Sequence, residues 1–231
     1  MSNTVPSEST GDHIHRTARA DLAAIPLAGG ASVELFNLVL APPIQRRRDE
    51  WLNGLAERLG KLEQDGRLVV EELRDNEEFV STVMQASQAA VQNHQQEKID
   101  ALRNAVLNTA LGQALEDSKR ELFLRWIDEL SVWHLRLLAL LADPPGWFER
   151  NSKTIPQFAI SSSLHQLIQA GMPELSQDRG FLEVVAKDLN DRHLASSVSL
   201  MTMMSAQGAV EKRTSDLGDA FLRFITEPGE A

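Results

Sequence analysis

The sequence predicts a mainly α fold: an N-terminal multi-helix domain followed by a small winged-helix-like α+β domain. Two observations predict it. From Glu97 to Leu141, apolar residues recur at three- and four-residue steps (Ile99, Leu102, Val106, Ala110, then Leu122, Phe123, Trp126, Ile127, Leu130), which gathers them on one helix face. After residue 151 the pattern becomes helix, helix, β-like run, helix, the element order of a winged helix-turn-helix variant. The expected division is a disordered tail over 1–16, a helical domain over 17–150 and the winged-helix-like domain over 151–231.

Taken in order, the tail is rich in Ser, Thr, Gly, Asp and His and has no apolar period. Leu22 to Leu27 predicts a short turn or helix before Gly29 and Gly30, and Val33, Phe36 and Leu40 give one apolar stripe. Pro42 and Pro43 are expected to end that element and start the next, whose stripe is Ile44, Trp51, Leu52, Leu55, Leu59 and Leu62. A short apolar piece over Leu68 to Leu73 precedes Asp75, expected to cap a helix with Glu78 completing a capping box. Phe79, Val80, Val83, Met84, Ala90 and Val91 are that helix's expected buried face, and Gln92 to Gln96 its break. Gly112 stops the first central helix, Ser118 with Glu121 starts the second, and Ser131 punctuates the chain before Val132 to Leu141, apolar on nearly every side.

Asp143 to Gly146 ends the series, and the polar stretch 151–156 is the expected boundary. Beyond it, Leu164, Leu167 and Ile168 mark one helix, and Phe181, Val184, Val185 and Leu189 another. Ser197 to Val210 reads as a two-stranded ribbon turning at Ala206 to Gly208, and Thr214 caps a last helix with Leu217, Phe221, Leu222 and Ile225 inward.

Composition narrows the function classes. A 231-residue chain with 42% hydrophobic and 24% charged residues has enough apolar surface for a globular core. A net charge of -10 disfavours a general nucleic-acid binder, which needs a basic face. The chain has no cysteine, which excludes disulfides and thiolate metal sites and suits a cytoplasmic setting. No secretory signal is recognisable, and the most apolar stretch, Leu22 to Leu40, holds Glu34, Asn37 and a proline, so no transmembrane segment is expected.

The residues that could carry chemistry are few. His13 and His15 offer two nitrogens where a zinc site needs more ligands, and His94, His134, His165 and His193 have no acidic partner at a diagnostic spacing. There is no Gly-x-Ser-x-Gly elbow, phosphate-cradling loop or His-Glu-x-x-His helix, so no catalytic residue, metal or cofactor is expected. Arg46, Arg47 and Arg48 beside the apolar segment are the candidate membrane or anion contacts, although Asp49 and Glu50 follow at once and an i,i+4 pair on a solvated face is the plainer account. Lys187, Arg192, Lys212 and Arg213 are the candidate DNA or wing contacts, on a helix that also carries Glu183, Asp188 and Asp191.

Three stretches resemble a broad group of uncharacterised bacterial helical proteins: Ile25 to Gly30 with Phe36 to Trp51, Lys98 to Asn108 (Lys-Ile-Asp-Ala-Leu-Arg-Asn-Ala-Val-Leu-Asn), and the closing run Arg213 to Ile225. In element order the chain is also similar to the abortive infection alpha (Abi-alpha) proteins, a resemblance that implies bacterial defence against phage. One departure is His193, where the helix ending at Arg192 would favour glycine in a left-handed cap.

The resulting expectation is a non-enzymatic bacterial protein that acts by binding another protein or itself. The two alternatives are a winged-helix DNA regulator and a membrane-associating effector working through the 22–48 segment.

Overall fold

The structure is a computed structural model that describes residues 30–113, 115–156, 161–196 and 198–229. The expected tail 1–16, the segment 22–27 and the histidines at 13 and 15 lie outside the described residues. By its internal contacts the chain forms two units, Met1–Asp49 and Glu50–Ala231. The expected mainly α character holds: the described elements are helices joined by short connections, with one antiparallel pair of two-residue strands.

Helix α1 (Gly30–Gln64) includes Pro42 and Pro43, which the sequence predicts as a break. Each proline lacks an N–H, so the carbonyls of residues 38 and 39 lose their helical partners. Leu38 and Val39 are 75% and 57% exposed, at a surface where water can take those carbonyls instead. In its second half Trp51, Leu55 and Leu62 are buried, whereas Leu52, assigned to the same stripe, is exposed. A 3₁₀ turn (Val70–Asp75) leads to α2 (Glu77–Gln92), whose cap is Asn76: its side chain accepts the Phe79 N–H at 2.9 Å. Asp75 is therefore not the cap, and Glu78 pairs with Arg120 at 2.9 Å instead of closing a capping box.

The buried face of α2 is made of small residues, Thr82, Ala86 and Ala90, with Val80 and Met84 turned outward against expectation. Small side chains let α2 lie close along α3 (Gln96–Ala110), and the three-residue link 93–95 holds the pair as a hairpin. Helix α4 (Asp117–Glu129) is capped at Glu116, two residues before the expected cap Ser118. Its N-cap Glu116 makes no side-chain bond, while Asp117 takes Arg120 at 2.7 Å. Helix α5 (Val132–Ala142) is buried almost all round, as its composition predicts, with Leu137, Leu138, Leu140 and Leu141 fully inaccessible.

Asp143 caps α6 (Pro144–Arg150). The polar stretch 151–156 follows, but it does not interrupt the core. One apolar cluster extends from Trp51 to Phe224, so the parts expected as separate domains share it. Strand β1 (Ser161–Ser162) precedes α7 (Leu164–Gly171), α8 (Pro173–Gln177) and α9 (Arg179–Asp191). Strand β2 (Met204–Ser205) pairs with β1, with Ser161 opposite Ser205 and Ser162 opposite Met204.

The ribbon expected over Ser197 to Val210 is thus absent among the described residues. The chain after β2 winds into a single turn, α10 (Ala206–Ala209), capped by Ser205, so β2 has no return strand of its own. The return instead reaches back to Ala195, which bridges Thr214. The last helix, α11 (Asp216–Ile225), is capped by Ser215, not Thr214, whose hydroxyl donates to Asp219. Phe221 and Phe224 of α11 join Phe123 and Trp126 of α4 in an aromatic cluster, with centroids 5.2 to 5.8 Å apart.

Four segments end in the left-handed conformation with the paired carbonyl bonds of a Schellman motif: Gly66, Gly112, Ser152 and His193. His193 does adopt the strained cap expected of it, at φ 56°.

Candidate functional site

The polar residues of the Lys98–Asn108 stretch explain themselves first. On α3, Lys98 lies in phase with Leu102 and Val106, Asn104 and Asn108 lie four residues apart on another side of the helix, and all three are buried. Each donates to a remote carbonyl: Lys98 Nζ to Asp128 at 2.5 Å, Asn104 Nδ2 to Ile225 at 3.0 Å, and Asn108 Nδ2 to Arg223, Phe224 and Thr226 at 2.9 to 3.0 Å. Burial lowers the pKa of Lys98, with Asp128 opposing that shift. The stretch is a docking strip that satisfies the C-terminal carbonyls of α11 and the carbonyl of Asp128 near the end of α4.

The candidate DNA or wing contacts are all engaged internally. Lys187 pairs with Asp191, Arg192 with Glu129 at 2.9 Å and Lys212 with Asp219 at 2.5 Å, while Arg213 donates to the Gly208 carbonyl at 2.5 Å. Phosphate contacts there would have to compete with those partners. Arg46 is exposed and Arg47 and Arg48 are half-buried on α1, and Arg46, Arg47 and Glu50 each interact with another group. Among the described residues no group of three or more His, Asp or Glu side chains is placed to hold a metal ion.

His94 and His193 are exposed and His165 is half-buried. His134 differs, and nothing in its spacing singles it out. As the third residue of α5 it is 5% exposed and reciprocates the Ser131 cap. Its Nδ1 accepts the Ser131 N–H at 3.1 Å, which places the ring proton on Nε2, 3.3 Å from Asp188 Oδ2 on α9. Serine, histidine and aspartate meet here, but in a structural role: the nitrogen nearest the Ser131 hydroxyl is already the acceptor of a backbone N–H. Burial lowers the His134 pKa, Asp188 works against that shift, and Arg192 and Lys98 add to it.

A histidine harder to protonate in the folded chain contributes its full stability above the unfolded value of about 6.5, and that contribution is lost as pH falls toward the lowered folded pKa. Urea midpoints are therefore expected to drop as pH is lowered below about 6.5, and to drop less in His134→Gln. Equal pH dependence of the two chains would contradict this.

Close to that cap lies a groove of about 580 Å³, within the ordinary size of a binding site. Glu97 of α3, Trp133 and Arg136 of α5, and Trp147 of α6 line one part of it; Lys153, Met172 and Glu174 line another. Arg136 lies over the Trp133 ring at 5.0 Å and is held by Glu97, and Lys153 lies over Trp147 at 5.8 Å with Nζ donating to the Gly171 carbonyl at 2.5 Å. A Cβ at Gly171 would sit 3.0 Å from the Trp147 ring, so glycine there allows the end of α7 to approach the tryptophan. Sequence reasoning missed the groove because Trp133 belongs to a strongly apolar run and reads as core, while Trp147, between Gly146 and Phe148-Glu149-Arg150, carries no pattern that marks a site. The available signal was the cation three residues after Trp133 and six after Trp147.

No helix among the described residues is long and apolar enough to cross a membrane. In comparison with known proteins, no family model, curated protein or solved structure matches the chain.

Proposed function

We propose that the chain is a non-enzymatic bacterial protein that works in the cytoplasm by binding another protein or a second copy of itself, and that the tryptophan-lined groove is its contact surface. The observation that carries this reading is the groove's lining. Tryptophan and arginine are the side chains that most often dominate interface energetics, and here Trp133 and Arg136 are stacked and fixed by Glu97 before any partner arrives. Ser131 and His134 are committed to a helix cap and Asp188 faces the His134 ring, which favours recognition over turnover for this trio.

The finer reading of 151–231 as a winged-helix-like module is part of the same proposal. Strand β1, the three helices α7 to α9 and strand β2 differ by one added helix from the strand, helix, helix, strand order of such modules, and the paired cations of that region suit packing or protein contact better than phosphate. A role in phage defence extends the proposal through the Abi-alpha resemblance, and phage plating efficiency with and without the gene tests it.

Affinity capture combined with light scattering on the full chain tests the binding reading. The expected result is a complex or oligomer that Trp133→Ala weakens by roughly 30-fold, about 2 kcal/mol. A strict monomer without a partner, together with turnover on a substrate panel, would overturn it.

A further inference from the structure

We infer that the groove is proton-gated: a proton taken up at His134 Nδ1 breaks the cap of α5 and releases Trp133 and Arg136 from their fixed positions. The inference rests on reading the groove as the contact surface, and the gate can be tested without any partner.

The geometry leaves the proton one place to go. His134 Nε2 already carries a proton and faces Asp188, so a second must enter at Nδ1, whose lone pair accepts the Ser131 N–H. The Ser131 hydroxyl, 2.8 Å from Nδ1, can accept the new Nδ1–H. The Ser131 N–H then faces a donor and loses its acceptor, and an unsatisfied N–H at a helix start is what a cap exists to prevent. A protonated ring and an intact reciprocal cap therefore exclude one another.

The charged groups acting on the ring come from two elements. Asp188 of α9 favours the imidazolium, while Arg192, just past the end of α9, and Lys98 of α3 oppose it. Asp128 and Glu129 engage those two cations, the first through its carbonyl and the second through its carboxylate. Among the described residues, α6 and α11, which also pack on α5, contribute no charge acting on the ring. With burial added, the folded chain holds the ring neutral, so acid populates the uncapped form.

The path to the groove is one residue long. Trp133 precedes His134 and Arg136 follows it by two, all in the first turns of α5, and Glu97, which holds Arg136, precedes Lys98. Loosening the first turn of α5 moves the tryptophan and arginine that the groove presents.

The test is nuclear magnetic resonance on the full chain, following the His134 ring, the Ser131 amide and the Trp133 indole from about pH 8 to about pH 5. Trp133→Phe assigns the indole signal. The expected result is one shared midpoint for the three signals, lying below about 6.5. In His134→Gln the side-chain oxygen can restore the Ser-x-x-Gln box, and the Trp133 signal is expected to stay flat across that range. Asp188→Asn, which removes the one charge that favours protonation, is expected to shift the His134 and Trp133 midpoints together to lower pH. A Trp133 signal that stays still while His134 titrates, or that moves equally in His134→Gln, overturns the gate. Loss of partner binding in Trp133→Ala is a separate outcome and bears only on the groove.

Discussion

Gly218→Ala is expected to destabilise the chain by about 3 kcal/mol or more, the largest effect of any single-methyl change considered. The glycine sits in the first turn of α11, where a Cβ would lie 2.0 Å from the Leu194 carbonyl oxygen and 2.9 Å from its carbon. The obstacle is backbone, and it is held from both sides. Leu194 N–H donates to Leu189, the Leu194 carbonyl accepts the Ser215 N–H at 3.1 Å, and the Ser215 hydroxyl donates to the His193 carbonyl at 2.5 Å. Relief requires α11 to back away, which pulls Phe221 and Phe224 from Phe123 and Trp126. The better helix propensity of alanine returns about 1 kcal/mol at most. Gly60→Ala is the matched control, because nothing lies within 4 Å of its Cβ position in α1, and it is expected to stabilise by about 0.5 to 1 kcal/mol. Urea denaturation of both variants checks the pair; equal midpoints would refute the close contact.

Asn108→Ala is expected to cost about 2 to 4 kcal/mol. One amide, 7% exposed, is the side-chain donor to three carbonyls at the end of α11, and its removal leaves buried acceptors without that partner. Asn108→Asp sharpens the test. It keeps the shape but puts a carboxylate against carbonyl oxygens and the negative end of a helix. Its pKa should rise, so this variant alone should gain stability as pH falls, when the protonated acid can donate again. Thermal melts at two pH values read the crossing, and an Asn108→Asp variant as stable as the parent at neutral pH would remove the docking role.

Much of the architecture was legible where local pattern decides it. The stripes of α3 and α4, the wholly apolar α5 and the stop at Gly112 depend on residues three to seven apart, and periodicity reports those directly. Helix starts slipped by a residue because Asp75 and Asn76, or Thr214 and Ser215, are equally able caps and only the surrounding packing chooses. Val80 and Met84 misled for a different reason: α2 turns its smallest residues inward to approach α3, so apolar size was the wrong guide to burial.

The ribbon failed because strand pairing is a long-range event. Met204 finds Ser162, not a neighbour in sequence. The groove and the His134 cap were out of reach for the same reason, since Asp188 and Trp147 arrive from other helices. Lys98, Asn104 and Asn108 were no more legible, since the carbonyls they meet lie 30 to 121 residues further along the chain.

The asparagine anchorage also sets a schedule for synthesis. The carbonyls that Asn108 satisfies belong to residues 115 to 118 positions further along the chain. At roughly 5 to 20 residues per second they leave the ribosome some 6 to 24 s after the asparagine itself. Throughout that interval the α2–α3 hairpin can form, but it carries hydrated amides on the face where α11 will rest. The nascent protein must therefore hold a half-built interior open until its last helix is delivered, and a chain stalled before that helix would present this surface to the cell's chaperones and proteases.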